Sequence, residues 1–354
     1  MSENENNLRP GISGIMRVKN DGCFIEACVE SCIDALDELI IVWNDCTDNS
    51  ADEIEKMRQR YPNKIKTYEY KYKVYSVGLT KEEYEYAKSL PKDSPHLLCN
   101  YYNFALSKVT YQYALKIDAD QFYFTDKLKE WRSVLVSTEK IKFTLSVTIG
   151  YLLYIWWKII FIINLKCNHT IFFPCRLPNK IKKAYDIFAK YAVKQGKSIS
   201  LSGLNVIKID GKWFTTLGRK TKTINILPPF NGEGDHLIFK VTPDCHYEVW
   251  DLPKYNLLRS EKYSLIEKFV HVADIVPGGF MWFHANCMRK ETYVKLNSEY
   301  HINPNAFIEP ANLLDYTISD IQSLVDVNFK QEALFKLQYP VYKNDIKKHL
   351  DLLK

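Results

Sequence analysis

Short apolar runs alternate with segments of helical periodicity in the first part of the chain. Ile12–Val18 and Glu38–Trp43 are apolar runs typical of buried strands, and residues 65–72 supply a third. Apolar residues recur at helical spacing from Phe24 to Leu36, and a polar turn, NDCTDNS, precedes a second helix that ends near Tyr61. This alternation predicts an α/β fold, with a parallel sheet and crossover helices.

Polar loops follow these strands at the point where each one ends. A helix over 101–109 leads into the strand YQYALKI, which is followed by Asp118 and Asp120. Open α/β sheets bind ligands at the carboxyl ends of their strands. We therefore expect RVKN (17–20), NDCTD (44–48) and DADQ (118–121) to gather along one edge of the sheet.

Residues 143–164 interrupt the alternation, because they contain a single lysine and are long enough to cross a bilayer. One interpretation is a buried strand followed by a core helix. The other is a membrane-inserted or in-plane segment, flanked by the basic stretches KEWR and NKIKK. A spanning helix would place the segments before and after it on opposite sides of the bilayer, although the two halves of the fold must meet. A re-entrant or interfacial hairpin is therefore the form of the second interpretation that we retain.

The second half of the chain predicts an amphipathic helix over 182–197 and a β-hairpin that turns at Asp210-Gly211. The resulting organisation has four parts: a first half that ends with the D-x-D pair (1–139), a hydrophobic and basic insertion (140–197), a second half (198–290) and a helical C-terminal extension (291–354).

Composition limits the classes of binding partner and the cellular compartment that we expect for this protein. The net charge of +6 suits anionic partners such as nucleotides, phosphoglycans or an anionic membrane face, whereas no block of Lys/Arg or zinc-finger spacing predicts nucleic-acid binding. Nine scattered cysteines, an odd number, indicate reduced thiols, and the polar start MSENENNLRP lacks the apolar core of a signal peptide. We expect a cytoplasmic protein.

Asp118 and Asp120 form a D-x-D pair at the end of an apolar strand. Carboxylate oxygens suit Mg²⁺ or Mn²⁺, and residues two apart on an extended strand point the same way. The pair is either a metal site that holds a phosphorylated substrate or an acidic turn. The 44–50 loop is likewise either a capped turn or a place where Asp45 or Asp48 binds a base or ribose. Arg17 and Lys19 are either surface charges or groups that neutralise a pyrophosphate.

Together these motifs resemble a known family. RVKN, NDCTD, the triplet Tyr101-Tyr102-Asn103, KIDAD, the GD of NGEGDH and His284 occur in the order seen in bacterial β-1,4-N-acetylgalactosaminyltransferases that extend lipooligosaccharide. The similarity covers residues 12–128 and, in patches, 200–290. Residues 140–195, which resemble an insertion, and the last sixty residues lie outside it.

The resemblance implies a GT-A, glycosyltransferase family 2-like fold, in which a D-x-D motif holds Mn²⁺ or Mg²⁺ against the diphosphate of a UDP-sugar. Residues 1–139 would then be the nucleotide-sugar-binding half, and residues 198–290 the acceptor-side half. Asp118 and Asp120 would bind the metal, and Asp118 the nucleotide as well. The resemblance assigns Arg17, Asn44 and Asp45 to the nucleotide and Tyr102 and Asn103 to the donor pocket.

The same resemblance implies inversion at the anomeric carbon, which needs a general base on the acceptor hydroxyl. Asp235 is our candidate, and Glu233 is the second choice, because glycines flank Glu233 and allow close approach to a sugar. Alternatively, these carboxylates cap the next helix. His284 either completes the metal site or is a core histidine, and His236 receives no family role.

These residues predict a metal-dependent inverting glycosyltransferase that moves a hexose or N-acetylhexosamine from a UDP-sugar to a surface glycan, such as lipooligosaccharide, O-antigen or capsule. The acceptor is a glycan or glycolipid, and peripheral contact with the inner membrane follows from the apolar insertion. The alternatives are a nucleotidyltransferase acting on a sugar phosphate, although no Gly-rich phosphate loop follows the first strand, and a non-catalytic, membrane-associated glycan-binding protein. The sequence does not identify the sugar.

Overall fold

A computed structural model describes most of the chain, in two units. The described residues are 8–167, 177–216, 230–231, 236–252, 263–270, 273–285, 288, 307–316, 339 and 341–354. Unit 1 consists of Met1–Asp120, Leu128–Arg132 and Leu237–Ala273, and unit 2 of Gln121–Lys127, Ser133–His236 and Asp274–Lys354.

The strands, in chain order, are β1 (Arg9–Val18), β2 (Glu38–Trp43), β3 (Ile65–Glu69), β4 (Tyr111–Asp118), β5 (Gln121–Tyr123), β6 (Ser198–Ile209), β7 (Lys212–Thr216), β8 (Phe230–Asn231), β9 (Leu237–Lys240), β10 (His246–Leu252), β11 (Ser264–Val270), β12 (Ile275–His284) and β13 (Phe307–Ile308). The α-helices are α1 (Gly22–Cys32), α2 (Ser50–Arg60), α3 (Lys81–Ser89), α4 (Leu98–Leu106), α5 (Thr125–Val136), α6 (Leu145–Cys167), α7 (Asn179–Lys194) and α8 (Pro310–Leu313). Two 3₁₀ turns occupy Ile33–Ala35 and Leu350–Leu353, and residues 341–348 are also helical.

Unit 1 contains the predicted parallel sheet. β1 pairs in parallel with β2 on one side and with β4 on the other, β2 pairs in parallel with β3, and β9 adds an antiparallel strand beside β4. The predicted α/β fold class is confirmed. β2 has the predicted bounds, β1 begins three residues before the expected Ile12, and β3 ends at Glu69 rather than at residue 72.

The core of unit 1 explains why its central strands are almost wholly apolar. Helix α1 buries its apolar face, including Ile25 and Cys28, and Ile15 of β1 and Ile40 of β2 are also fully buried. Gly14 is required by the packing, because a Cβ there would lie 2.8 Å from side-chain atoms of Ile117 and Leu36. Strands buried on both faces read as continuous apolar runs, which is the pattern the sequence shows.

A separate ribbon of β10 and β11 belongs to the same unit. The two strands pair antiparallel from His246↔Val270 to Leu252↔Ser264, and the ribbon packs against α4. Helix α4 begins at Leu98, three residues before the predicted start at Tyr101. This ribbon brings residues from far along the chain to the helix that carries Tyr102 and Asn103.

Unit 2 contains the predicted hairpin. β6 and β7 pair antiparallel up to Ile209↔Lys212, and the two turn residues Asp210 and Gly211 have φ of 48° and 79°. Positive φ at both central residues is the signature of a type I′ turn. β12 pairs in parallel with β6 and antiparallel with β5, which places His284 opposite both Asn205 and Gln121.

The apolar segment around 143–164 forms the single helix α6, so the expectation of a strand followed by a helix is wrong. Helix α6 packs closely on α7, since a Cβ at Gly150 would lie 2.4 Å from the carbonyl oxygen of Ala184. Within the part of the chain that the structure describes, every helix is too short or too polar to cross a membrane. The predicted helix over 182–197 is confirmed as α7, with its start at Asn179.

Candidate functional site

The loops after β1, β2 and β4 lie along one edge of the unit 1 sheet, as predicted. Arg17 and Asp118 are register partners on adjacent parallel strands, and Val18 of β1 is the partner of Trp43 of β2. Register partners on parallel strands face the same side of a sheet, so Arg17 and Asp118 project together. A cation and a carboxylate thus stand side by side at the edge where such sheets bind ligands.

Arg17 is held by two tyrosines of α4. Its Nη2 donates a hydrogen bond of 2.6 Å to Tyr102 Oη, and its Cζ lies 3.9 Å from the Tyr102 ring centroid and 5.2 Å from that of Tyr101. Burial opposes the charged form, but Tyr102, Glu267, Tyr101 and Asp118 outweigh it and raise the pKa of Arg17. Its Nε is buried and has no hydrogen-bond partner among the residues that the structure describes. Arg17 is therefore a fixed cation with an unused donor, which suits a phosphate oxygen.

A second buried cation lies on the same face of β4 as Asp118. Lys116 Nζ is 3.0 Å from Glu267 Oε1, and the two side chains are 5% and 10% exposed. Lys116 Nζ also lies 5.1 Å from the Tyr102 ring centroid. Sequence reasoning missed this pair, although a lysine inside a buried run, two residues before a D-x-D, was an available signal.

Tyr102 and Asn103, assigned to the donor pocket, make buried contacts with the β10–β11 ribbon. The ring of Tyr102 stacks on Tyr247 at 4.7 Å between centroids. Asn103 Nδ2 donates to the Tyr247 carbonyl oxygen at 2.8 Å, and Asn103 Oδ1 accepts from the Tyr247 amide at 2.7 Å. Both polar ends of the Asn103 side chain thus bind the ribbon, and Tyr102 supports Arg17.

Some residues of the 44–48 loop make structural hydrogen bonds, and others are exposed at its surface. Asn44 is buried, and its Nδ2 donates to the carbonyl oxygens of Tyr70 and Tyr72 at 2.6 and 2.7 Å, so both amide hydrogens are used. Asp45 is exposed, has a φ of 48° and forms a 3.0 Å ion pair with Lys19. Asp48 accepts from the amides of Gly22 and Ser50, which makes it a capping residue and lowers the pKa of its carboxyl, although burial acts in the opposite direction.

Asp118 and Asp120 are the predicted D-x-D pair. Asp118 is the last residue of β4, and Asp120 lies in the turn before β5. Asp120 is only 1% exposed. His284 Nδ1 lies 3.1 Å from Asn205 Oδ1 and also contacts Asn231 Nδ2, contacts that orient the ring as the outer partners of a ligating histidine do. The two carboxylates of the D-x-D pair are of the type that holds Mn²⁺ or Mg²⁺.

A cavity of about 520 Å³ lies at the end of β3, and the sequence reasoning did not anticipate it. Tyr70, Tyr72 and Phe104 supply aromatic walls, and Glu69 and Asp93 supply carboxylates. Asn44 lies next to this cavity in the structure, since it holds the carbonyl oxygens of Tyr70 and Tyr72.

The predicted base residues Glu233 and Asp235 lie outside the described residues. The next residue, His236, is buried, with its Nε2 3.0 Å from Gln121 Nε2 and its ring edge-on to Trp282. These contacts give His236 a place in the packing of unit 2.

Comparison with known proteins adds one family match. Residues 5–171, just under half of the chain, match the family model described as beta-1,4-N-acetylgalactosaminyltransferase (CgtA). The family resemblance is confirmed. The match also covers residues 129–171 and includes α6, so the expectation that the resemblance leaves out residues 140–195 is wrong as far as residue 171. Among curated proteins, none matches the chain.

Several solved structures are also similar. A mannosyltransferase from Pyrobaculum calidifontis, in complex with GDP-Man and Mn²⁺, is 18% identical with a TM-score of 0.25, over 38% of this chain and 34% of that one. Glucosyl-3-phosphoglycerate synthase from Mycobacterium tuberculosis, in complex with Mn²⁺, UDP and glucosyl-3-phosphoglycerate, is 16% identical with a TM-score of 0.20, over 31% and 33%. The chain thus spans about a third of the length of each of these proteins.

Proposed function

We propose that this protein is a metal-dependent inverting glycosyltransferase that transfers a hexose or N-acetylhexosamine from a UDP-sugar to a surface glycan. The observation that carries the proposal is the pairing of Arg17 with Asp118 at the carboxyl edge of the parallel sheet. A fixed cation with an unused donor beside a D-x-D pair matches the needs of a diphosphate and its counter-ion. The family match over residues 5–171 supports the same enzyme class.

On the donor side, Arg17 would donate hydrogen bonds to the diphosphate, and Tyr102 would hold its guanidinium in place. Asp118 and Asp120 would hold Mn²⁺ or Mg²⁺, and His284 is our candidate for a third ligand. The bound cation would neutralise charge that develops on the departing UDP. Asp45, which is exposed, remains the candidate for the ribose or base, whereas Asn44 would act by positioning the segment after β3.

On the acceptor side, we assign Asp235 as the base that removes the proton from the attacking hydroxyl, with Glu233 as the alternative. A single base and direct displacement give inversion. We further propose that the acceptor is a glycan or glycolipid of the lipooligosaccharide, O-antigen or capsule type, and that the enzyme acts at the cytoplasmic face of the inner membrane.

The test is a panel of UDP-sugars assayed for transfer and hydrolysis with Mn²⁺ present. Turnover should be lost in Asp118→Asn and kept in Asp34→Asn, an identical change at a surface aspartate paired with Lys129. Failure of every UDP-sugar, together with unchanged UDP affinity in Asp118→Asn, would contradict the proposal. Release of pyrophosphate from a nucleoside triphosphate and a sugar phosphate would instead identify a nucleotidyltransferase.

The base assignment has its own test. Asp235→Asn should abolish transfer while UDP binding is preserved, because the base contacts only the acceptor. The matched control is Asp244→Asn, the same change at an exposed aspartate a short distance further along the chain. Retained turnover in Asp235→Asn would exclude Asp235 and direct the same experiment to Glu233.

A further inference from the structure

Helix α6 presents a continuous apolar stripe to the solvent. Its exposed residues recur at alternating intervals of four and three positions, which keeps them on one side of a helix. The members of this stripe are Leu145, Ile149, Leu152, Trp156 and Ile159. Leu145 and Leu152 are 77% and 60% exposed, more than almost any other large apolar residue that the structure describes. Soluble monomers seldom leave so contiguous an apolar surface uncovered.

The opposite side of α6 is fixed to unit 2. Tyr154 is buried and donates a hydrogen bond of 2.7 Å to the Ile275 carbonyl oxygen, and Lys158 Nζ lies 3.0 Å from Asp274. Trp157 is also buried. The stripe therefore cannot turn inward without breaking these contacts, and its outward direction is a property of the fold.

Charged residues flank the stripe but do not enter it. No charged residue occurs from 143 to 157, whereas Lys140 and Lys142 immediately before the helix are exposed. Helix α7 runs antiparallel beside α6, since Phe143 contacts Tyr191 and Tyr151 contacts Phe188, and it adds the exposed Lys180 and Lys183. In sequence, the exposed acid Glu139 directly precedes the first pair.

This distribution fits a lipid surface better than a second copy of the chain. Helices that pair in water place charges of both signs beside the apolar seam, and this seam is bordered by Thr144 and Thr148 instead. A two-fold contact would also bring like-charged lysines together. Anionic lipid headgroups would pair with the exposed lysines that flank the stripe. The apolar side chains of the stripe would insert at the boundary between the headgroups and the acyl chains.

We propose that α6 docks the protein on an anionic bilayer, lying in the plane of the membrane with the stripe inserted and Lys140, Lys142, Lys180 and Lys183 on the headgroups. The proposal rests on the proposed function only in the reason for docking, which is that a glycolipid acceptor resides in the bilayer. The binding itself requires no UDP-sugar.

The test measures co-sedimentation of the full chain with phosphatidylglycerol-containing vesicles and with pure phosphatidylcholine vesicles. The double variant Leu145→Glu/Leu152→Glu should lower the partition coefficient about tenfold or more, because each buried apolar side chain contributes at least that much. Leu352→Glu, the same change at another exposed leucine, should bind as the unaltered protein does. Replacing the four lysines with Gln should weaken binding to the anionic vesicles and leave the neutral ones unchanged.

Two results would overturn the proposal. One is equal vesicle binding by the double glutamate variant and the unaltered protein. The other is a lipid-free dimer that the double variant converts to a monomer, which would assign the stripe to a second copy. Thermal unfolding followed by circular dichroism is measured alongside as a check on folding, with Leu145→Ser/Leu152→Ser as the milder pair. Vesicle binding without any transferase activity would uphold the docking surface and reject the proposed function.

Discussion

Lys116 on β4 and Glu267 on β11 form an ion pair of 3.0 Å inside unit 1, directly under the ring of Tyr102. The pair connects the sheet to the β10–β11 ribbon, 151 residues away in sequence. Both side chains are buried, so water could not solvate either charge if the other were removed.

The first prediction follows from that burial. Glu267→Gln should lower the free energy of unfolding by about 3–5 kcal/mol, because it removes the carboxylate that pairs with a buried ammonium group. Urea denaturation measures the change. Glu248→Gln, on the exposed side of the same ribbon, is the control and should change stability by less than about 1 kcal/mol. Equal changes in the free energy of unfolding for the two substitutions would contradict the prediction, because they would show that burial of the pair does not increase its contribution.

Arg17 gives the second prediction. Arg17→Met should weaken UDP binding by about 10- to 100-fold, because charge-assisted hydrogen bonds to the diphosphate are lost. Uridine binding should change little, since uridine has no phosphate. Arg9→Met, at the other end of the same strand, serves as the control. Calorimetric titration with both ligands makes the comparison, and an equal loss for UDP and uridine would place Arg17 away from the diphosphate.

The third prediction concerns acid stability. Glu38 is buried, and burial alone would raise its pKa, but hydrogen bonds from Lys66, Ser13 and Thr110 outweigh burial and hold the pKa below its ordinary value of 4.5. A lowered pKa in the folded state gives stability that is present above pH 4.5 and is lost as the pH falls through the folded pKa.

Glu38→Gln should therefore cost about 2 kcal/mol at neutral pH, and this difference should shrink as the solution is acidified below the ordinary glutamate pKa. Denaturant titrations at a series of pH values provide the measurement. The exposed Glu85→Gln on α3 should show neither effect. A difference between Glu38→Gln and the unaltered protein that stays constant with pH would contradict the assigned charge state.

Local sequence patterns predicted the strands and turns whose conformation depends on neighbouring residues in the sequence. The run Glu38–Trp43 was read correctly because a strand covered on both faces is apolar throughout, and the Asp210-Gly211 turn because its backbone favours those residues. The segment around α6 was ambiguous because this helix is apolar on both its buried and its exposed sides, which removes the periodicity that identifies a helix.

Contacts between distant segments could not be predicted in this way. Asn103 binds the backbone of Tyr247, 144 residues later, and no local pattern distinguishes that asparagine from one that faces a ligand. The same holds for Asn44, whose side-chain amide donates to the carbonyl oxygens of Tyr70 and Tyr72, which follow β3. The edge location of Arg17 and Asp118 was predictable, because parallel strands require it.

The most direct test of the central claim is UDP binding, measured by calorimetry with and without Mn²⁺, for the unaltered protein, Asp118→Asn, Asp120→Asn and the surface control Asp34→Asn. We expect Mn²⁺ to strengthen UDP binding at least about tenfold in the unaltered protein and the control, and this gain to disappear in the two D-x-D variants. UDP binding that is indifferent to Mn²⁺, or a full gain that persists in Asp118→Asn and Asp120→Asn, would contradict the account.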